Sequence, residues 1–126
     1  MPRFTIDPVP KPRMTQSDKR LKRPAVMRYW AFKDELVIQA NQAGFILPDA
    51  FIVIFNIAMP KSWSKRKRSQ MLGKPHQQTP DLDNYIKGIS DCLLPNNDSS
   101  IWQISAKKVW ALEGAIVIYP DMQVEF

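Results

Sequence analysis

The chain is short of several residue types on which common chemistries depend. It has one cysteine, Cys92, and one histidine, His76, in 126 residues. That excludes an internal disulfide and any cysteine-based zinc cluster. A Cys/His nucleophile pair needs both groups in one place, and nothing in their positions brings them together. Four glycines leave no glycine-rich loop of the kind that cradles nucleotide phosphates. The longest hydrophobic run, Ala50 to Met59, is interrupted by Asn56 and is about half of what spans a bilayer, so no membrane anchor is expected. The N-terminal MPRFTIDPVPKPR carries charge but no apolar stretch and does not read as a secretory signal. A reducing cytoplasm is the expected compartment.

Positive charge, by contrast, is plentiful and unevenly placed. Eighteen Lys and Arg against twelve Asp and Glu give a net charge of +6 and a pI near 9.6. Residues 1–28 hold eight basic and two acidic side chains, residues 61–74 hold six basic and none acidic, and the other 84 residues hold four basic and ten acidic. One basic loop would serve solubility alone. Two basic blocks on an acidic remainder are the footprint of a polyanion binder, because each phosphate neutralised releases counterions and the field steers association. In the second block Lys65, Arg66, Lys67 and Arg68 are the candidate DNA contacts.

At 44% hydrophobic and 24% charged the chain is globular, and its length suits a single domain over residues 1–126. Arg3 to Val9 alternates in the manner of a short strand until Pro8, Pro10 and Pro12 stop it. Pro24 opens a helix on which Val26, Tyr29, Trp30, Leu36, Val37 and Ala40 recur at helical spacing, ended by Gly44 and Pro48. Ala50 to Met59 reads as a central buried strand. Lys61 to Thr79 reads as a long loop without structure, a length that is usually functional. Leu82, Ile86, Ile89 and Leu93 form one stripe of a second helix over about Pro80 to Leu93. Ile101 to Trp110 and Ala115 to Tyr119 read as strands joined in a hairpin through Glu113 and Gly114. The order is strand, helix, strand, helix, strand, strand, an α/β (α+β) domain with two main helices. Trp30, Trp102 and Trp110 fall on core-like positions. Trp63, within KSWSKRKR, suits either stacking on an unpaired base or anchoring its loop.

Asp81, Asp83 and Asp98 are the most informative residues. Two aspartates two apart on a regular helix diverge by about 200°. With Asp81 in the non-helical turn before the helix, both can share one cation. Hard divalent cations such as magnesium take carboxylate oxygens and keep several waters, so two or three convergent aspartates suffice. Lys87, four residues after Asp83, shares its helical face and is placed to hold a phosphate. Asp98 follows in the turn before the next strand, from where a third carboxylate can return to the site. The plainer alternative makes Asp81 a helix cap, Asp83 and Lys87 a surface ion pair, and Asp91 a solvated helix face. Cys92 is expected in the core, and His76, in the long loop, is within the set that could touch a phosphate.

The run Asp81-Leu82-Asp83-Asn84, followed by Lys87 and by Asp98 ahead of a hydrophobic strand, resembles the RusA family of Holliday-junction resolvases, small endonucleases of bacteria and their phages. The segment Val9 to Thr15, VPKPRMT, is similar to a shorter version of that family's basic proline motif, which places Lys11 and Arg13 as DNA contacts. Some members carry a basic residue where this chain has Pro80. The resemblance covers nearly the whole chain. It implies a mixed sheet, a homodimer, and magnesium-dependent symmetrical nicking of four-way DNA. Asp81, Asp83 and Asp98 would then be the metal ligands and, with Lys87, the catalytic site, with no small-molecule cofactor and no membrane partner. Carboxylates repel phosphate, so acids beside basic segments make sense for DNA chemistry once a metal inverts the local charge. Val26, Met27, Tyr29, Trp30, Ala31, Phe32, Leu36 and Val37 of the first helix spread over more than one face, and whatever of them does not pack on the sheet is the expected dimer surface. The rival readings are a non-catalytic DNA-binding or regulatory protein of the same fold, and a nuclease for flaps or forks.

Overall fold

The structure is a computed structural model and describes residues 2–13, 23–96 and 98–119. Its elements are β1 (Arg3–Phe4), α1 (Pro24–Ala43), β2 (Ala50–Ala58), α2 (Lys65–Met71), α3 (Leu82–Leu93), a 3-10 turn at Asp98–Ser100, β3 (Gln103–Ala111) and β4 (Ala115–Tyr119). They build an α+β fold on one mixed sheet of order β1-β4-β2-β3. β2 runs parallel to β3 and antiparallel to β4, and β1 pairs antiparallel with β4.

The expected β3–β4 hairpin is not formed. β2 lies between the two strands, with Phe55 opposite Lys108 of β3 on one side and opposite Ile116 of β4 on the other. β2 is the most apolar segment, and Phe51, Val53 and Phe55 are fully buried. Such a strand gains most where both of its edges are paired. Strands lie about 4.8 Å apart, so the link Leu112 to Gly114 has to bridge only about 10 Å past the end of β2.

α1 begins at Pro24, where a missing N–H costs no intrahelical bond, and ends at Gly44 with φ 63°. It buries Val26, Tyr29, Phe32, Leu36 and Ala40. Trp30, expected in the core, lies one position off this stripe and is 37% exposed. Trp102 is likewise not a core residue, at 74% exposed, whereas Trp110 is buried. α3 buries Tyr85, Ile89 and Cys92, with Leu82, Ile86 and Leu93 partly buried beside them. Tyr85 stacks on Phe55 with ring centroids 5.3 Å apart, and the Tyr29 hydroxyl donates to the Gly88 carbonyl at 3.0 Å. α1 and α3 are thereby locked onto one sheet face, where each fully buried Phe, Ile or Leu contributes about 1.5–3 kcal/mol.

Two further expectations are corrected. Only Arg3 and Phe4 of the predicted first strand pair in the sheet; Pro8, Pro10 and Pro12 offer no ladder donors, and the chain leaves to cross α3. The segment Lys61 to Thr79 is not structureless. Lys65–Met71 forms α2, capped by the Ser64 hydroxyl, which accepts from the Lys67 N–H at 3.1 Å. Residues 73–76 then line the outer edge of β3: Gly73 N–H donates to Trp110 O, Trp110 N–H to Lys74 O, and His76 N–H to Lys108 O. Among the described residues no helix is long and apolar enough to cross a membrane.

Candidate active site

Asp81 occupies the N-cap of α3 in extended conformation, φ −68° and ψ 148°. Its carbonyl accepts from the N–H groups of Asn84 and Tyr85 at 3.1 and 3.4 Å, but its side chain makes no capping hydrogen bond. Asp83 lies in the first helical turn and Lys87 one turn on, both exposed. They do not pair with each other, and neither side chain has a hydrogen bond or ion pair among the described residues. Asp83, Ile86, Lys87 and Ser90, spaced as one helical face, line an open cleft of about 320 Å³ with Ile101 and Ile104 at the start of β3. Two carboxylates and an ammonium thus stand in solvent with no side-chain partner among the described residues. The plainer assignments, a side-chain cap at Asp81 and an Asp83–Lys87 ion pair, are not what the structure contains.

Asp98 opens the 3-10 turn that leads to Ile101 and β3; its side chain lies outside the described residues. That turn is tied to the sheet through Asp49, whose carboxylate accepts from the Ser100 hydroxyl and whose carbonyl accepts from the Trp102 N–H, both at 3.0 Å. Among the described residues no three acidic, histidine or cysteine side chains converge. Asp81 and Asp83 are the two carboxylates at the start of α3, and their exposure and lack of partners there fit a hard divalent cation that keeps several waters.

The N-terminal segment reaches the site by crossing α3 at Gly88, where an added Cβ would stand 3.1 Å from the Val9 carbonyl. The Lys11 N–H donates to the Asn84 carbonyl at 3.1 Å, and the Lys11 ammonium pairs with Asp91. Lys11 is therefore engaged within the chain, and Asp91 is a partner to it and not simply a solvated face. Lys11, Pro12 and Arg13 line a hollow of about 520 Å³ together with Asn84 and Lys87. Arg13 is exposed there, and Lys87 borders both this hollow and the cleft at Asp83.

The second basic block sits at the other end of β3. Trp63 packs against Trp110 with centroids 4.8 Å apart, and the Lys67 ammonium lies 4.2 Å over the Trp63 ring. Trp63 is an anchor for α2, not an exposed stacking platform. Lys65, Arg66 and Lys67 are exposed and Arg68 is half-buried. Trp110 lies six positions along β3 from the cleft wall at Ile104, roughly 20 Å at the usual rise. His76 is buried against Trp110, 4.4 Å between centroids, and presents no face to a phosphate. Burial and the nearby Lys108 ammonium hold its imidazole below the usual histidine pKa. Burial pushes the Cys92 thiol up, as suits a core residue and not a nucleophile.

Lys108 is a residue that sequence pattern did not single out. It stands among Ile104, Ala106 and Trp110 on the core-facing register of β3 and donates to the carbonyls of Gln78 and Pro80 at 2.5 and 2.6 Å. A lysine in an otherwise apolar alternation is the signal that could have marked it.

The fold is that of a small α+β protein whose mixed sheet carries a helix with an acidic start beside the basic N-terminal segment. A family model described as Endodeoxyribonuclease RusA matches residues 5–119, and the chain belongs to this family. The description is that of enzymes that cut DNA internally. No curated protein and no solved structure matches the chain.

Proposed function

We propose that the chain is a magnesium-dependent endonuclease that resolves Holliday junctions by paired symmetrical nicks, acting as a homodimer in the cytoplasm. The observation that carries this reading is that Asp81 at the N-cap of α3, and Asp83 and Lys87 in its first two turns, are exposed and have no side-chain partner among the described residues. Two carboxylates without a partner at one helix start are free to hold a cation, and a cation bound there would turn the local charge towards phosphate. Asp81 and Asp83, with Asp98 from the following turn, would hold the metal. Bound there, it would supply an activated water and stabilise charge on the phosphate and the leaving oxygen.

The remaining work falls to the chain's own groups. Lys87, on the same helical face as Asp83, offers its ammonium to a non-bridging phosphate oxygen at the edge of the cleft. Ile86, Ile101 and Ile104 form an apolar wall that limits water around the scissile group. Arg13 on the near side, and Lys65, Arg66 and Lys67 roughly 20 Å along β3, hold the backbone of a duplex arm over about six nucleotides. Two sites related by a dyad match a substrate with two-fold symmetry.

The deciding experiment incubates labelled four-way junction, linear duplex and flap with the protein, with and without magnesium. Cleavage is expected on the junction only, and only with the metal. Asp83→Asn and Asp98→Asn should lower the rate by about a hundredfold or more, since metal-borne charge stabilisation is worth several kcal/mol. Junction binding should be kept or tightened, because an acid facing phosphate has been neutralised. Wild-type rates in both variants would refute the metal site. Binding without cleavage by the wild-type protein would favour the non-catalytic reading, and equal cutting of flaps would favour the broader nuclease.

A further inference from the structure

We propose that Lys108 is a positioning residue for Asp81, holding the backbone that aims its carboxylate at the metal; this rests on the nuclease reading above. Lys108 stands opposite Phe55 in the register of β3 and β2, on the sheet face that packs beneath the helices. A lysine ammonium is costly on such a face unless bonded, and this one is bonded in a specific way. Its Nζ donates to the carbonyl of Gln78 at 2.5 Å and to that of Pro80 at 2.6 Å. Its own carbonyl accepts from the His76 N–H at 3.0 Å. One residue thereby grips residues 76–80 at both ends, by backbone at His76 and by side chain at Pro80.

The Pro80 carbonyl belongs to the peptide whose nitrogen is that of Asp81, so the grip ends one bond short of the proposed ligand. Downstream, Asp81 is fixed by the N–H groups of Asn84 and Tyr85 donating to its carbonyl. Its carboxylate makes no capping hydrogen bond to hold it. With no bond of its own, that side chain is placed only through its backbone, which is clamped by the helix on one side and by Lys108 on the other. The clamp acts through carbonyls, which an ammonium can bond and a carboxylate cannot. With two of its three donors spent on carbonyls, the half-buried Lys108 is not presented to a phosphate. Groups that orient metal ligands are typically worth 10–100-fold in metal affinity or activity.

The test compares the full-length wild type with Lys108→Met, Lys108→Gln, Lys108→Arg and Asp81→Asn. Manganese binding to the DNA-free protein is followed by electron paramagnetic resonance. In parallel, the magnesium concentration for half-maximal cleavage and the salt dependence of junction binding are measured. Lys108→Met should weaken manganese binding by about 10–100-fold and shift the magnesium midpoint similarly, with junction affinity and its salt slope unchanged. Lys108→Arg, which restores a cationic donor, should recover most of both. Lys108→Gln keeps a neutral donor for one carbonyl and should fall between them; if the Met variant does not fold, Gln carries the same test. Wild-type manganese binding in the neutral variants would overturn the inference, as would a loss of junction affinity with a shallower salt slope, which would make Lys108 a phosphate contact. Should Asp81→Asn bind manganese as the wild type does, and the wild type cut nothing, the nuclease reading itself falls. Binding lost in Asp81→Asn but kept in the Lys108 variants removes the positioning role alone.

Discussion

Side chains in this protein divide by whether the chain itself supplies them a partner. Lys11 has Asp91, Lys108 has two carbonyls, and Lys67 has the Trp63 ring, whereas Asp81, Asp83 and Lys87 have none among the described residues. His76 is a third kind, a titratable group shut in the interior against Trp110. Its pKa is lowered from 6.5, mainly by burial and then by the Lys108 charge. The unfolded chain therefore takes up the proton at higher pH than the folded one. The stability that His76 contributes is fully present above pH 6.5 and is lost as the pH falls below it towards the depressed folded value. Thermal unfolding at about pH 7.5 and about pH 5.5, on either side of the ordinary histidine value, should show His76→Phe losing less stability on acidification than the wild type. Parallel losses in the two proteins would assign the acid sensitivity elsewhere.

Segments differ in how far their local sequence fixes them. Pro24 and Gly44 bracket α1, and the 82/86/89/93 spacing marks α3, because caps and helical periodicity act within a few residues. α2 gave no such signal, since KRKRSQM has no apolar stripe. What holds it is the Ser64 cap and the seating of Trp63 on Trp110, a residue forty-seven positions away. The helix is already formed without a ligand, so its basic side chains are carried on a preformed backbone. Changing Lys65, Arg66 and Lys67 to Gln should flatten the salt dependence of junction binding by up to about 0.9 in log–log slope for each phosphate no longer neutralised. The far-ultraviolet circular dichroism should change little. An unchanged slope would leave these cations to solubility. Arg68 is left out of the set because it is half-buried and lines a hollow with Leu72 and Leu112, so its removal would confound charge with packing.

The assembled molecule leaves apolar surface uncovered. On α1, Met27, Trp30 and Ile38 share one face and are 45%, 37% and 49% exposed. A second copy is the occupant expected there, because paired nicks on a two-fold substrate call for two sites related by a dyad. Sedimentation at micromolar concentration should give a dimer of about twice 14.6 kDa. Met27→Glu with Ile38→Glu should yield folded monomers that bind junctions more weakly and lose coordination between the two nicks. A dimer surviving both changes but broken by Ile54→Glu would move the contact to the sheet face that also bears Ile52 and Tyr119. A wild-type monomer that still nicks symmetrically would contradict the assembly.

By itself the sequence determined the fold class, the two main helices, the central strand, the basic blocks and the acidic run at Asp81 to Asn84. Each rests on local physics: periodicity, capping, proline and glycine geometry, and the count of charges. Tertiary structure alone decided which strands meet. The short spacing from β3 to β4 suggested a hairpin, yet the apolar β2 takes the middle because that position buries the most surface and pairs both of its edges. It also decided which charges are spent. Nothing in the sequence around Lys11 or Lys108 names the partner that each one takes. Their partners at Asp91, Gln78 and Pro80 lie eighty, thirty and twenty-eight residues away. Hydrogen bonds and ion pairs act over a few ångströms, and only the folded chain brings residues so distant in sequence within that range.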